Sequence, residues 1–113
     1  MSVVTDMWGM FLYASAFNQD LSKWDVSAVT AMAYMFSDAS AFNQDLSKWN
    51  VSAVDDMQSM FDGASAFKRQ LCGTAWVNSK AHQKDMFKDS PGSISPAVCA
   101  TTGPGYGEGN GYG

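Results

Sequence analysis

The residues able to do chemistry in this sequence are few, and most recur at a fixed interval. Cys72 and Cys99 are its two cysteines and His82 its one histidine. Two thiolates and an imidazole are zinc donors, but a tetrahedral site needs a fourth ligand that the set lacks, so no metal is expected. The other chemistry open to the cysteines is a bond to each other. A Cys72–Cys99 disulfide would close a loop of about 28 residues and, in the chain-entropy account, add on the order of 3 kcal/mol. Such a bond belongs to an oxidising compartment, whereas two free thiols would belong to the cytosol. His82 lies in Ser79-Lys80-Ala81-His82-Gln83-Lys84-Asp85-Met86-Phe87, which reads as an amphipathic helix with the histidine facing solvent.

The remaining polar candidates come in columns. Lys23 repeats as Lys48, Asp25 as Asn50, and Ser27 as Ser52. On a strand these stand on one face, about 4.8 Å from one repeat to the next, and form either a solvated face or a face that reads a ligand. Asn18-Gln19-Asp20 repeats as Asn43-Gln44-Asp45. With one carboxylate per repeat this suits a hydrogen-bonded asparagine ladder better than a calcium site. Asn50-Val51-Ser52 is an N-glycosylation sequon. No nucleophile, base and orienting group converge, because the Asp and Ser residues recur with the repeat. No catalytic residue and no cofactor is therefore expected, and the protein reads as a non-enzyme.

The elements that must position these residues follow from the repeat. Residues 14–29 and 39–54 are nearly identical and lie 25 residues apart. Val4, Val29 and Val54 keep that interval, as do Met7, Met32 and Met57, then Met10, Met35 and Met60, then Phe11, Phe36 and Phe61. Ala14, Phe17 and Leu21 head further columns, and Trp24 and Trp49 share one, but Trp76 comes two residues late. A unit this short cannot bury its own apolar face and must stack on its neighbours. Leu21, Trp24 and Val26 end in a two-residue alternation that predicts a short strand, and Met32, Met35, Phe36 and Ala39 give the i, i+3, i+4, i+7 stripe of a helix. The expected fold is an α/β leucine-rich-repeat-like solenoid of strand-turn-helix rungs. Three rungs over residues 1–76 precede a degenerate fourth rung and disulfide-tied cap over 77–100, then a tail over 101–113.

The pattern Met-Phe-x-x-Ala-x-x-Phe-Asn-Gln-Asp-Leu-Ser-x-Trp-Asp-Val-Ser-x-Val-Thr-x-Met resembles the BspA-like leucine-rich repeat surface proteins, in the variant known as a domain of unknown function in mycoplasma lipoproteins and found in marine algae and protists. The resemblance covers roughly residues 2–90. It implies an extracellular or surface-anchored adhesion or recognition scaffold, and brings no catalytic residues to carry over.

Composition narrows the partners. Seven Lys/Arg against eleven Asp/Glu, with no basic run, exclude a nucleic-acid footprint. No apolar stretch approaches the ~20 residues that cross a bilayer, and no signal segment is evident. From Gly103 to Gly113 every second residue is glycine. In an extended chain this frees one side for close backbone approach, with Tyr106 and Tyr112 on the other as candidate assembly anchors. The first repeat is expected to leave Met10, Phe11, Phe17, Leu21 and Trp24 uncovered, an end met either by a longer array or by another subunit. The expectation is an extracellular or cell-surface structural or adhesive protein that self-associates end to end or binds other surface proteins. The alternative is a recognition module taking a glycan or protein on the face of Lys23, Asp25, Ser27, Lys48, Asn50 and Ser52.

Overall fold

The backbone of Met32 to Ala39 sends its N–H groups alternately in two directions. Those of Met32, Tyr34, Phe36 and Asp38 donate to the carbonyls of Asp56, Gln58, Met60 and Asp62 at 2.7–2.9 Å. Those of Met35, Ser37 and Ala39 turn back onto Met32, Tyr34 and Phe36, three residues earlier. Beyond its first turn a helix commits each donor to the carbonyl four residues back, and none of these donors makes that bond, so the stretch is not helical. Positive φ angles enforce the choice. They fall at Gly9 and Tyr13, Tyr34 and Asp38, Ser59 and Gly63, and Asp85 and Asp89, twice per repeat and always at the same two places. A positive φ at the third residue of a tight turn is the type II requirement that glycine meets at least cost. Here it is met mostly by other residues, each at about 1–2 kcal/mol.

This overturns the expected solenoid of strand-turn-helix rungs and, with it, the leucine-rich-repeat architecture. The computed structural model describes residues 4–99, and among these regular secondary structure is scarce. It consists of β1 (Gln70–Leu71), α1 (Thr74–Val77) and β2 (Ser93–Ile94), with β1 and β2 paired in parallel. The expected strand around Leu21–Val26 is a pair of turns, in which Trp24 donates to Leu21 and Val29 to Val26, each at 3.0 Å. Asp20 and Asp25 close these turns by accepting from the Ser22 and Ser27 N–H groups, as short acidic side chains do when they compete with strand pairing. The expected helix over residues 79–87 is irregular chain with a parallel bridge at His82, followed by turns from Lys84. The tail with Tyr106 and Tyr112 lies outside the described residues.

The 25-residue interval nevertheless brings equivalent residues side by side. Isolated parallel bridges join Asp6 to Ala31, Ala31 to Asp56 and Asp56 to His82, the last at an interval of 26. Phe11, Phe36, Phe61 and Phe87 form one file of stacked rings at 5.4 Å, and Phe17, Phe42 and Phe67 a second at 5.9–6.0 Å. Rings of the two files touch at 4.1–4.2 Å within each repeat. Offset parallel stacking at these distances adds about 0.5–1.5 kcal/mol per pair beyond the area buried. Met32, Met35, Met57, Met60, Leu46 and Leu71 complete the core. Leu21 is also buried, contrary to its expected exposure, whereas Met10 and Trp24 are exposed and Phe11 and Phe17 half-buried.

Trp49 and Trp76 lie across this core. The Trp49 indole donates to the Leu21 carbonyl and the Trp76 indole to the Leu46 carbonyl, both at 2.8 Å and both buried. Trp76 reaches the equivalent acceptor despite coming two residues late, because α1 takes up the extra chain. Trp49→Ala removes a buried indole and leaves the Leu21 carbonyl without its donor, and should cost ~3–5 kcal/mol. Trp24→Ala, at an exposed position, should cost clearly less. Chemical denaturation of the two variants checks the order.

Cys72 and Cys99 are bonded, with Cα atoms 5.0 Å apart, and the Cys99 N–H donates to the Cys72 carbonyl. The bridge ties the strand β2 region back beside β1. Cys99→Ser should lower stability by about 3 kcal/mol in the chain-entropy account. Limited proteolysis should then cut after Lys88 before any site in residues 20–60; simultaneous loss of all sites would refute a local role for the bridge.

Candidate functional site

The fourth repeat departs from the others at Cys72-Gly73-Thr74, and the departure opens a groove. Gly73 passes so close to Ser47 that a Cβ there would collide with the Ser47 carbonyl oxygen, so only glycine allows this crossing. The chain then enters α1, held by Val77 donating to Gly73 and Asn78 to Thr74, each at 3.0 Å. The result is a groove of about 970 Å³ between the turns of residues 47–55 and the stretch 73–81.

Its lining is mixed. Trp49, Val54, Ala75 and Ala81 give apolar surface, with Trp49 itself deeply buried and indole-bonded. Lys48, Asn50, Ser52, Asp55, Thr74, Asn78 and Lys80 give polar groups at the rim. Lys48, Asn50, Asp55 and Lys80 are exposed. Two ammonium groups against one carboxylate make the groove locally cationic in a chain of net charge −4. Its chemistry is hydrogen bonding and charge pairing with a neutral or anionic polar ligand.

The structure divides the six residues of the expected strand face. Lys48, Asn50 and Ser52 line the groove; Lys23, Asp25 and Ser27 do not. Neither trio lies on a strand, because residues 22–28 and 47–53 are turns and connecting chain. Thr74, Asn78 and Lys80 were not among the expected site residues. Their signal was the late arrival of Trp76 after Gly73, which marks extra chain where the repeat has none.

Asp25 and Asn50 do the same job with different charge. The Asp25 carboxylate accepts from the Ser27 hydroxyl at 2.6 Å and the Ser27 N–H at 3.0 Å. The Asn50 amide oxygen accepts from the Ser52 hydroxyl at 2.6 Å and N–H at 3.1 Å. Asn50 is exposed, so its sequon is sterically open. The asparagines of the Asn-Gln-Asp motifs bridge repeats. Asn18 Oδ1 accepts from the Asn43 N–H and the Gln44 amide at 2.8 and 3.0 Å, and Asn43 Oδ1 from the Lys68 N–H at 2.9 Å. Among the described residues no three His, Cys, Asp or Glu side chains are grouped to hold a metal ion.

Hydrogen bonds to the charged form set the acid response. The Ser27 hydroxyl, then its N–H, holds the Asp25 carboxyl below its ordinary value of 3.8, and the Ser22 N–H does the same for Asp20. A carboxyl lowered on folding contributes stability that is complete above its unfolded value and is lost as pH falls through the folded one. Melting temperature should therefore be flat above about pH 5 and fall below about pH 4. Asp25→Asn should flatten that fall by lowering the value at pH 7 slightly, since the amide keeps both bonds, as Asn50 does, but loses their charge-assisted part.

Comparison with known protein families gives a match over most of the chain. The family described as "Mycoplasma protein of unknown function, DUF285" matches residues 1–95. No curated protein and no solved structure matches the chain. The match extends from the first repeat through strand β2 and includes the groove, so the chain belongs to this DUF285 family.

Proposed function

We propose that this protein is a non-enzymatic structural or adhesive component of a cell surface or extracellular matrix. The observation that carries the reading is where its repeated polar side chains go. Asp6, Asp20, Asp25, Asp45, Asn50 and Asp56 each accept from the N–H two residues on, and Asn18 and Asn43 accept from the next repeat. Side chains committed to their own backbone hold a shape and are not placed for proton transfer. The Cys72–Cys99 disulfide supports an oxidising compartment. The resemblance to BspA-like surface proteins agrees with that placement. No helix among the described residues is long and apolar enough to cross a membrane.

The groove favours a second reading, recognition of a glycan or acidic peptide by Lys48, Asn50 and Lys80. Surface biotinylation of native cells followed by non-reducing mass spectrometry tests the first reading. The labelled protein should carry the Cys72–Cys99 linkage; unlabelled protein with two free thiols overturns it. The second reading stands on a glycan array. A signal lost in the double variant Lys48→Ala, Lys80→Ala supports it, and equal binding by that variant removes the groove from recognition.

A further inference from the structure

Of the asparagines in the chain only Asn50 is followed two positions on by a hydroxyl residue, Ser52. An Asn-x-Ser triplet is the acceptor pattern for N-linked glycan, but such triplets also occur unused, so the case rests on how the fold presents this one. Val51 is fully buried, whereas Asn50 and Ser52 on either side of it are exposed. The core therefore anchors the triplet by its middle residue and turns both reactive groups to solvent. The Asn50 amide oxygen accepts from the Ser52 hydroxyl and N–H at 2.6 and 3.1 Å, which leaves the nitrogen Nδ2 as the unspent end of the side chain. Among the described residues Nδ2 has no hydrogen-bond partner, and neither the N–H nor the carbonyl of Asn50 has a backbone partner. An enzyme can draw this segment into its own site without breaking a bond between repeats. The two bonds that shape the triplet span only two residues, so they form locally and do not wait for the repeats to stack.

The other asparagines of the described residues lack this arrangement. Asn18 and Asn43 give their amide oxygens to the next repeat, and Asn78 is followed by Ser79 and Lys80. Asp25 is the informative counterpart. It makes the same two bonds to Ser27 around the buried Val26, is exposed in the same way, and carries an oxygen where Asn50 carries Nδ2.

We propose that Asn50 is an N-glycosylation site whose donor is a glycan carried on a polyprenyl diphosphate. In the transfer a bond forms from Nδ2 to the anomeric carbon of the first sugar. The bond from that carbon to the diphosphate oxygen breaks, and its electron pair leaves with the diphosphate. One amide proton passes to a base of the transferring enzyme, and nothing is oxidised or reduced. Asn50 and Lys48 share the rim of the groove, so the sugar would border it. The inference goes beyond the surface reading and rests on it for the compartment alone, since the chain must be exported to meet such a donor, as it must for the Cys72–Cys99 bond to persist.

The test is peptide mapping by mass spectrometry of the 113-residue chain, directed by a signal peptide into the secretory route of a eukaryotic host. Mapping is done before and after an amidase that frees N-linked glycan and leaves aspartate behind. The peptide holding Asn50 should carry glycan in most secreted molecules, and the amidase should convert residue 50 to aspartate. Asn50→Asp keeps both turn bonds, as Asp25 shows, so it should be secreted like the parent and carry no amidase-sensitive glycan. Asp25→Asn sets the same geometry in the first repeat and should add a second glycan there. Secreted, disulfide-bonded chain with Asn50 bare overturns the proposal, as does amidase-sensitive glycan that persists in the Asn50→Asp variant. An Asp25→Asn chain that gains no glycan overturns the role given to the turn. In protein isolated from its native cells, a Cys72–Cys99 linkage with Asn50 bare removes the glycan and leaves the surface reading standing, whereas two free thiols remove both.

Discussion

Everything in this fold depends on a division of labour among backbone N–H groups. In the first three repeats, over stretches such as Met32 to Ala39, alternate donors close tight turns and the donors between them cross to the following repeat. Buried backbone groups must be paired, and this scheme pairs them without a helix or an extended sheet. It also explains why tyrosine, serine and aspartate tolerate left-handed angles. The crossing bonds at 2.7–2.9 Å and the stacked rings hold the backbone where the turn needs it, so local strain is offset by contacts between repeats.

How much of this was legible in the letters can be judged residue by residue. The interval between Phe11, Phe36 and Phe61 was plain, and those rings do lie against one another. The pairing of Cys72 with Cys99 was open to reading from their number and place. The secondary structure was not. Met32, Met35, Phe36 and Ala39 have helical spacing, but a run of overlapping four-residue turns brings the same positions to one face, and hydrophobic periodicity does not separate the two. The deciding residues, Tyr34 and Asp38, carry their information in φ, and tyrosine in particular gives no warning of a left-handed angle. The strand failed for a readable reason: Asp20-Leu-Ser and Asp25-Val-Ser are turn-closing sequences that alternation alone overrules too easily. The groove was half legible, since the shift of Trp76 marked the place but not the opening.

Membership of a family without assigned function leaves the residues to speak for the protein. They separate into two sets. The repeated ones, such as Asn18, Asn43, Asp25 and Asn50, hold turns and bridge neighbours. The unrepeated ones, Gly73, Thr74, Asn78 and Lys80, occur once and shape the groove. Where a scaffold is built by repetition, its singular positions are the ones free to acquire specificity.

The disulfide also decides how the molecule would bear tension. A pull applied beyond Cys99 passes through the covalent bridge to Cys72 and onward toward the first repeat. The intervening residues, with α1 and one wall of the groove, are left off the load path. Force would shear the crossing hydrogen bonds of the first three repeats, including the groove's other wall at residues 47–55, while the segment between the two cysteines stays slack. Under tension the chain would in this way yield through its first three repeats and hold the segment closed by the bridge folded.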